Sequence, residues 1–359
     1  MEPTVAQALE AGPVLVSAPC RVDMGGTLDL PAFHYPLRAT APVTVNLALD
    51  LRTRVRLDPW DQGRVRVRSR GFEDAEFNAG AAPYNHPLGM VFAICDYFSA
   101  SGVSVEVKSA SPPRSALGGS SAAAVAVVGA FAEALARIGR PSPGPRAVVQ
   151  IAHAVESAVA GVVCGYQDQL AAAFGGVNAW AWPADPETGP FVKKTLLSGA
   201  DAEELSRRIL VAYGGAPHES VDINGQWVRG FLSGETRDQW AKIARISRKF
   251  AKALENRDWG RAAELMNREM DIRREMTPHV LDEVCGRLVD AAGNAGLGAR
   301  STGAGGGGCV WALGEPDALG ALRRQWASIL ESTADGEILD TRVDERGLLV
   351  EKAVEPVDP

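Results

Sequence analysis

The sequence of 359 residues contains no run of 18 apolar residues, so no segment is predicted to cross a membrane as a helix. The N-terminal residues show no basic segment followed by an apolar stretch, and we therefore expect no signal peptide. The cysteines are scattered and form no C-x-x-C pair, which argues against a zinc site or a disulfide framework. They are Cys20, Cys95, Cys164, Cys285 and Cys309. These absences predict a cytoplasmic protein with reduced, mostly buried thiols.

An excess of positive charge is also lacking, because the net charge is −7 and no dense block of Lys and Arg occurs. This balance argues against nucleic acid as the main partner. No G-x-x-x-x-G-K-[ST] motif occurs, which excludes a Walker-type P-loop. The glycines at Gly303, Gly305 and Gly308 formally fit the G-x-G-x-x-G fingerprint of dinucleotide-binding proteins. A strand-like run follows them where that fingerprint requires a helix, so a nicotinamide-dependent enzyme is disfavoured.

The stretch from Ser111 to Ala123, SPPRSALGGSSAA, is the most informative part of the chain. It follows an alternating run at residues 103–108 that predicts a half-buried strand, and it leads into an Ala-rich predicted helix at residues 120–138. The first N–H groups of a helix have no partner within it and lie at the positive end of its dipole, so such a terminus binds phosphate. Ser120 and Ser121 add hydroxyls that either cap the helix or reach a metal ion.

Two other segments are equally unusual. Residues 299–309, ARSTGAGGGGC, carry five glycines within six positions. Glycines at that density lose much backbone entropy on ordering, a cost that close approach to a ligand or to another backbone would justify. Residues 18–30, APCRVDMGGTLDL, place a predicted strand beside a Gly-Gly turn with charged and hydroxyl side chains. All three segments combine glycine with polar side chains at the end of an element, which favours a binding site.

Helix and strand signals intermingle without a strict repeat, which predicts the α+β class. Strands are predicted within residues 42–57 and 64–70, joined as a hairpin by a turn at residues 61–63. Helices are predicted at residues 87–100 and from Pro145 onward, and residues 236–292 are predicted to be mainly helical. A polar turn cluster at residues 183–190 marks the predicted boundary between a lobe of residues 1–190 and a lobe of residues 191–359.

In this order and spacing, the three segments resemble the three motifs of the GHMP kinase superfamily of galactokinase, homoserine, mevalonate and phosphomevalonate kinases. The middle segment is similar to the pattern P-x-G-x-G-L-G-S-S-A, and the last is similar to G-A-G-G-G-G. Residues 165–176, GYQDQLAAAFGG, look most like sugar kinases, in particular the D-glycero-D-manno-heptose phosphate kinases. The resemblance implies a two-lobed α+β fold with the active site between the lobes. It also implies ATP and Mg²⁺ as cofactors.

The resemblance implies a set of residues that contact the phosphates of ATP. They are Pro113, Ser115, Ala116, Leu117, Gly118, Gly119, Ser120, Ser121, Gly305 and Gly306. It also implies Mg²⁺ ligation by Ser120 and by Glu156, both hard oxygen donors. The alternatives are a plain helix cap for Ser120 and a solvent-facing helix position for Glu156. The chain departs from the pattern at Arg114 and Ala116, where the pattern has Gly, and at Gly119, where it has Ser.

The catalytic residues implied by the resemblance are Asp168, which takes or orients the acceptor proton, and Arg21, which holds that carboxylate ionised and stabilises phosphoryl charge. Asp168 is expected in a loop; the alternative is an N-cap for the next helix. A structural salt bridge is the alternative for Arg21. The implied acceptor-binding residues are Asp29, Gly165, Tyr166 and Gln167, although Tyr166 equally suits a core position. Asp23, Arg300 and His218 align near motif positions without an assigned role.

The expected function is transfer of the γ-phosphate of ATP to a hydroxyl of a sugar or sugar phosphate. The expected partners are these small molecules, with no nucleic acid and no membrane, in a monomer or homodimer. Two other functions remain open: a kinase of a non-sugar alcohol, of the homoserine or mevalonate type, and a non-catalytic sensor of ATP and sugar. Retention of Ser120, Glu156 and Asp168 together argues against the sensor.

Overall fold

A computed structural model describes residues 4–161, 163–216 and 223–351. The helices are α1 (Val5–Glu10), α2 (Pro31–His34), α3 (Gly89–Tyr97), α4 (Gly119–Arg137), α5 (Pro145–Ala160), α6 (Gln167–Phe174), α7 (Ala200–Ser206), α8 (Ile223–Ser233), α9 (Arg237–Glu255), α10 (Trp259–Met276), α11 (Glu283–Asn294) and α12 (Pro316–Leu330). The strands are β1 (Val14–Met24), β2 (Val43–Pro59), β3 (Arg64–Ser69), β4 (Ala75–Asn78), β5 (Val103–Ser109), β6 (Val177–Ala181), β7 (Val192–Leu197), β8 (Ile209–Tyr213), β9 (Gly298–Ser301), β10 (Cys309–Leu313), β11 (Glu337–Leu339) and β12 (Leu349–Glu351).

The strands form two sheets, and the α+β prediction is confirmed. The first sheet has the order β12-β1-β2-β5-β3-β4, with β6 paired to the other end of the long strand β2 and β7 paired to β6. The second sheet is antiparallel, in the order β11-β8-β10-β9. Buried apolar residues form two clusters. The larger lies around the first sheet and α4 and extends to one face of the second sheet, at Val211 and Trp311. The smaller covers the other face of the second sheet with α8, α11 and α12.

The predicted hairpin of β2 and β3 is wrong. Strand β5 lies between them, antiparallel to β2 and parallel to β3, with Val105 opposite both Leu57 and Val67. All three side chains are completely buried. The alternating pattern located each strand, but the partner of a strand is decided by packing between distant segments, and a short turn does not show it.

Helix α4 is the central helix of the first lobe. It is long and apolar enough to span a membrane by length and composition, yet most of it is buried inside the protein. Its small side chains allow close packing, and an added Cβ at Gly129 would lie 2.6 Å from the Leu348 side chain. Gly118 precedes α4 in a left-handed conformation and gives the helix no side-chain cap, so its first N–H groups have no partner within the helix.

Part of the chain after residue 190 returns to the first sheet. Strand β7 pairs with β6, and β12 pairs with β1. The buried Arg52 donates to Asp344 across 2.5 Å, which ties the C-terminal segment to β2. The N–H of Leu348 donates to the carbonyl of Ala173 at the end of α6. The division into residues 1–190 and 191–359 stays a prediction. Strands β7 and β12 lie after residue 190 but belong to the first sheet.

Candidate active site

Arg21 and Asp168 form an ion pair where strand β1 meets helix α6. Nε of Arg21 donates to Oδ1 of Asp168 across 2.8 Å, and Nη1 donates to the carbonyl of Ala116 across 2.6 Å. Arg21 is 4% exposed, whereas the Asp168 side chain is 23% exposed and so is open to a ligand. The expectation of a loop or N-cap position for Asp168 is wrong. It lies in the first turn of α6 after the N-cap residue Tyr166, where a carboxylate is favoured by the helix dipole.

The glycine-rich loop before α4 lies directly against this pair. The backbone N–H of Arg21 donates to the carbonyl of Leu117 across 2.9 Å. A Cβ added to Gly118 would lie 3.3 Å from the Asp168 carboxyl, so glycine leaves that space open. The loop therefore places the N-terminus of α4 beside the Asp168 carboxylate.

In the same loop, two residues that depart from the family pattern have the backbone conformation typical of glycine. Arg114 and Ala116 have φ values of 53° and 60°, in the left-handed region that glycine adopts readily. The pattern has glycine at both positions, so this chain keeps the loop conformation without the glycines. Each such residue costs about 1–2 kcal/mol of backbone strain, which the surrounding contacts offset. One of these contacts is the hydrogen bond from Arg21 to the Ala116 carbonyl.

Glu156 on α5 faces the start of α4. Its Oε2 accepts hydrogen bonds from the Ser121 hydroxyl and from Nε2 of Gln169, each across 2.7 Å. Burial raises the pKa of Glu156, and the hydroxyls of Ser121 and Ser120 oppose that rise. The structure thus brings Ser120 and Glu156 together, as the metal prediction requires. The partners Ser121 and Gln169 were not predicted for this carboxylate.

Ser120 and Glu156 share a cavity of about 250 Å³ with side chains at the start of α3. The other lining residues are Tyr84, Asn85, His86, Pro87, Met90 and Val159. Ser120 is exposed, and its hydroxyl lies 3.8 Å from the Met90 sulfur. Among the described residues, no group of three or more His, Cys, Asp or Glu side chains could enclose a metal ion. One carboxylate and one hydroxyl beside a phosphate loop still suit Mg²⁺, which usually keeps waters and phosphate oxygens as its other ligands.

Asp29 is buried beside the loop that leads into α6. Its Oδ2 accepts from the N–H of Gln167 across 3.0 Å, and a Cβ at Gly165 would lie 1.8 Å from the same oxygen. Only glycine therefore fits at residue 165. Burial raises the pKa of Asp29 to about 6; the Gln167 N–H opposes this rise and the nearby charge of Asp168 adds to it. The structure brings Asp29, Gly165 and Gln167 together near Asp168.

The two other side chains of this loop differ in their surroundings. Tyr166 is half-buried and stacks on His153 with ring centroids 3.8 Å apart, in addition to a contact with Phe191. Gln167 is 8% exposed, and its Oε1 has no hydrogen-bond partner within the described part of the chain. Tyr166 thus has a packing role whether or not it contacts an acceptor, while the Gln167 side chain retains an unused acceptor atom close to Gly26.

The third glycine segment, residues 303–308, packs on the loop before α4 through only some of its residues. A Cβ at Gly308 would lie 2.7 Å from the Ser115 carbonyl, and the Cys309 N–H donates to that carbonyl across 2.9 Å. Gly305 and Gly306 instead contact Val280, whose carbonyl accepts from the Gly306 N–H across 2.8 Å. The assignment of Gly305 and Gly306 to the phosphates stays a prediction, and these contacts give it no direct support.

Asp23 and Arg300, which had no assigned role, form a completely buried ion pair of 2.7 Å. The N–H of Gly303 donates to the other oxygen of Asp23 across 2.7 Å. The pair is 277 positions apart in sequence, so no local pattern could have predicted it. His218, the other unassigned position, lies outside the described residues.

Two family models match this chain. The family model described as GHMP kinases N terminal domain matches residues 85–176, and the one described as GHMP kinases C terminal matches residues 250–331. The first match contains the loop before α4, Glu156 and Asp168, and the second contains α10 and the third glycine segment. The fold and these two matches thus define a two-lobed protein with the kinase fold of this family. The chain belongs to the GHMP kinases.

Similar proteins in this family act on different acceptors. A mevalonate kinase of Pyrococcus abyssi is 27% identical over 95% of this chain and 99% of that protein. A D-glycero-alpha-D-manno-heptose 7-phosphate kinase of Campylobacter jejuni is 27% identical over 60% of this chain and 63% of that protein. The structure of Lactococcus lactis galactokinase complexed with galactose aligns with a TM-score of 0.73, 18% identity, and coverage of 94% of this chain and 95% of that chain. The last likeness shows the fold alone.

Proposed function

We propose that this protein is an ATP-dependent kinase that phosphorylates a hydroxyl of a sugar or sugar phosphate. The observation that carries the proposal is the contact between three groups: the Asp168 carboxylate, the buried Arg21 guanidinium and Gly118 at the end of the loop before α4. A proton acceptor, a fixed positive charge and a helix N-terminus are the parts that phosphoryl transfer needs at one point. The membership in the GHMP kinases supports the same reaction.

Each part of the site has a role in this proposal. When bound, ATP supplies the γ-phosphoryl group, and Mg²⁺ neutralises part of the phosphate charge. The loop at residues 113–121 cradles the phosphates with its N–H groups. Ser120 and Glu156 offer the oxygen ligands for Mg²⁺, and Ser121 and Gln169 fix the orientation of that carboxylate. Asp168 takes the proton of the acceptor hydroxyl as its oxygen bonds to phosphorus, and Arg21 stabilises the charge that develops.

Asp29 supports a sugar as acceptor. Its carboxylate is 2% exposed and accepts the N–H of Gln167 at the start of α6. In this proposal its remaining lone pairs accept hydrogen bonds from the hydroxyls of a neutral ring. An acceptor with its own carboxylate would be repelled there, by about 4 kcal/mol for two unit charges 4 Å apart at an effective dielectric constant of 20. A polyhydroxylated acceptor therefore suits this site better than a carboxylic acid.

A kinase of the mevalonate type is the second candidate. The observation in its favour is the alignment with mevalonate kinase over 95% of this chain. For such an acceptor, the substrate carboxylate would need a positive partner near Asp29. The Arg21 guanidinium beside Asp168 is already held by Asp168 and the Ala116 carbonyl.

The experiment that tests the proposal measures ADP release from ATP and Mg²⁺ with a panel of acceptors. The panel contains hexoses, heptoses, their phosphates, mevalonate and homoserine. We expect turnover with at least one sugar or sugar phosphate and none with the two carboxylic acids. Turnover with mevalonate alone would favour the second candidate. Binding of an ATP analogue without turnover of any acceptor would favour a non-catalytic sensor.

A further inference from the structure

Behind the Arg21–Asp168 pair lies a chain of buried charges that crosses from the first lobe into the second. Asp23 pairs with Arg300, Arg300 lies 3.3 Å from Glu269, and Glu269 accepts from Arg273 across 2.5 Å. These four side chains are completely buried. Together with Arg21 and Asp168, this row of ion pairs contains three guanidinium groups and three carboxylates, so its charges balance.

Asp23 connects the Arg21–Asp168 pair to the rest of this row of ion pairs. Its Oδ2 accepts from Arg300, while its Oδ1 accepts from the N–H of Gly303 across 2.7 Å and lies 3.9 Å from Nη1 of Arg21. Nη1 of Arg21 also donates to the carbonyl of Ala116 in the glycine-rich loop. One carboxylate in β1 thus contacts the catalytic arginine, the third glycine segment and an arginine of β9.

Arg273, at the other end of this row of ion pairs, is held by aromatic rings of the second lobe. The Arg273 guanidinium lies over the rings of Trp227 and Trp240, at 4.8 Å and 5.2 Å from their centroids, and donates to the carbonyl of Gly26 across 2.7 Å. Such stacking restricts a guanidinium more than an ion pair alone does. Burial opposes ionisation of Asp23, yet the charges of Arg300 and Arg21 lower its pKa, so it stays a carboxylate.

We propose that Asp23, held by Arg300 and Glu269, is a positioning residue for phosphoryl transfer, because it fixes Arg21 and the third glycine segment relative to each other. This inference rests on the proposed kinase function. It assigns no contact with substrate to Asp23. Its effect passes through Arg21, whose guanidinium must hold one position between Asp168 and the transferred phosphoryl group.

The alternative is that Asp23 serves only as the counter-ion of Arg300. A double variant separates the two roles. Asp23→Asn alone leaves Arg300 with Glu269 as its remaining carboxylate and leaves one buried positive charge unbalanced, which destabilises the fold. Asp23→Asn with Arg300→Gln removes one charge of each sign and leaves Arg21–Asp168 and Arg273–Glu269 balanced. The Asn side chain still accepts the Gly303 N–H.

The experiment measures thermal unfolding, kcat and both KM values for the wild type and the double variant. We expect stability closer to the wild type than in Asp23→Asn alone, a kcat lowered by about 10- to 100-fold, and KM values for ATP and acceptor within about threefold. A kcat within threefold of the wild type would overturn the positioning role. A wild type without turnover of any acceptor would instead contradict the proposed function on which this inference rests.

A matched control uses the other buried pair of the same chemistry. Arg52 and Asp344 are 2.5 Å apart and connect β2 to the C-terminal segment. Arg52→Gln with Asp344→Asn should change stability without lowering kcat. If the Asp23 variants do not fold, Arg300→Lys keeps every charge but loses the planar fork that holds Asp23. Its kcat should fall about tenfold at unchanged KM, and an unchanged kcat would overturn the proposal.

Discussion

Arg21 and Asp168 are 147 positions apart in sequence, yet their side chains meet at 2.8 Å beside the N-terminus of α4. Arg21 comes from β1 and Asp168 from the first turn of α6, and the loop before α4 contacts both elements. Burial opposes the positive charge on Arg21, but the carboxylates of Asp168 and Asp23 raise its pKa, so the guanidinium stays charged. The first sheet and α4 thus hold a fixed positive charge next to an accessible carboxylate.

The pH dependence of acceptor binding should follow Asp29. Its pKa is raised to about 6 by burial, with a contribution from Asp168, so the carboxylate that accepts acceptor hydroxyls is lost as the pH falls through 6. Calorimetric titration of the acceptor between pH 5 and 8 should show constant affinity above pH 7 and a decline below pH 6. In Asp168→Asn the decline should move to lower pH, because one neighbouring negative charge is gone. Affinity that is flat from pH 5 to 8 would contradict the role of Asp29.

Replacement of Asp29 should stabilise the protein while it weakens acceptor binding. Its folded pKa of about 6 exceeds the ordinary value of 3.8, so the folded state binds the proton more tightly than the unfolded chain. The free energy of unfolding therefore falls as pH rises from about 4 to 6. At neutral pH the ionised group costs on the order of 2–3 kcal/mol, which Asp29→Asn removes. Acceptor affinity should fall by about 10- to 150-fold.

Urea denaturation at pH 7.5 measures the first effect, and titration of acceptor and of an ATP analogue measures the second. Asp61→Asn, at an exposed turn, is the matched control and should change stability by less than about 0.5 kcal/mol. A destabilised Asp29→Asn that binds both ligands poorly would point to a purely structural carboxylate.

The Mg²⁺ requirement should change when the ligands on α4 and α5 change. Ser120→Ala and Glu156→Gln each remove one hard oxygen donor from the shared cavity, so the Mg²⁺ concentration for half-maximal activity at saturating ATP should rise. Glu133→Gln removes the same charge on α4, 12 residues and about 18 Å along the helix from Ser121, the hydrogen-bond partner of Glu156. It should leave the Mg²⁺ titration unchanged. Equal titrations in all four proteins would remove the metal role from both residues.

The space beside Gly118 should matter for catalysis more than its backbone conformation does. Gly118 has φ 74° and its added Cβ would touch the Asp168 carboxyl, whereas Gly139, at φ 70°, has no atom within 4 Å of such a Cβ. Alanine at either position carries a similar strain of about 1–2 kcal/mol. Both variants should therefore lose similar stability, but only Gly118→Ala should lose kcat. A similar kcat for the two variants would mean that Asp168 tolerates a displaced loop.

Sequence patterns located most elements but not the contacts between them. The Ser111–Ala123 stretch predicted a helix N-terminus, and α4 begins within one residue of the predicted start. The pairing of β5 between β2 and β3 was missed because alternation within a strand says nothing about its neighbour. Asp168 was expected in a loop because the polar residues beside it resemble a connection, although its helix begins one residue earlier.

In the candidate site, too, single residues could be proposed from the sequence but their contacts could not. The residues near the motifs, Arg21, Asp29, Glu156 and Asp168, were proposed from the resemblance, and their roles remain proposals. Local sequence could not reveal Ser121 and Gln169 as partners of Glu156, because a buried hydrogen bond between separate helices leaves no periodic pattern. The Asp23–Arg300 pair was hidden for the same reason.

The most direct test of the account is the kcat of Asp168→Asn with the acceptor that the wild type turns over best. Asn keeps the size of Asp and can still accept the hydrogen bond from Arg21, and Asp23 remains 3.9 Å from that guanidinium. The fold should therefore be retained at reduced stability, with unchanged affinity for an ATP analogue. Loss of the proton acceptor should lower kcat by about 10²–10⁴-fold. A kcat within a few-fold of the wild type, in a protein that folds and binds ATP normally, would contradict the assignment of Asp168 as the catalytic carboxylate.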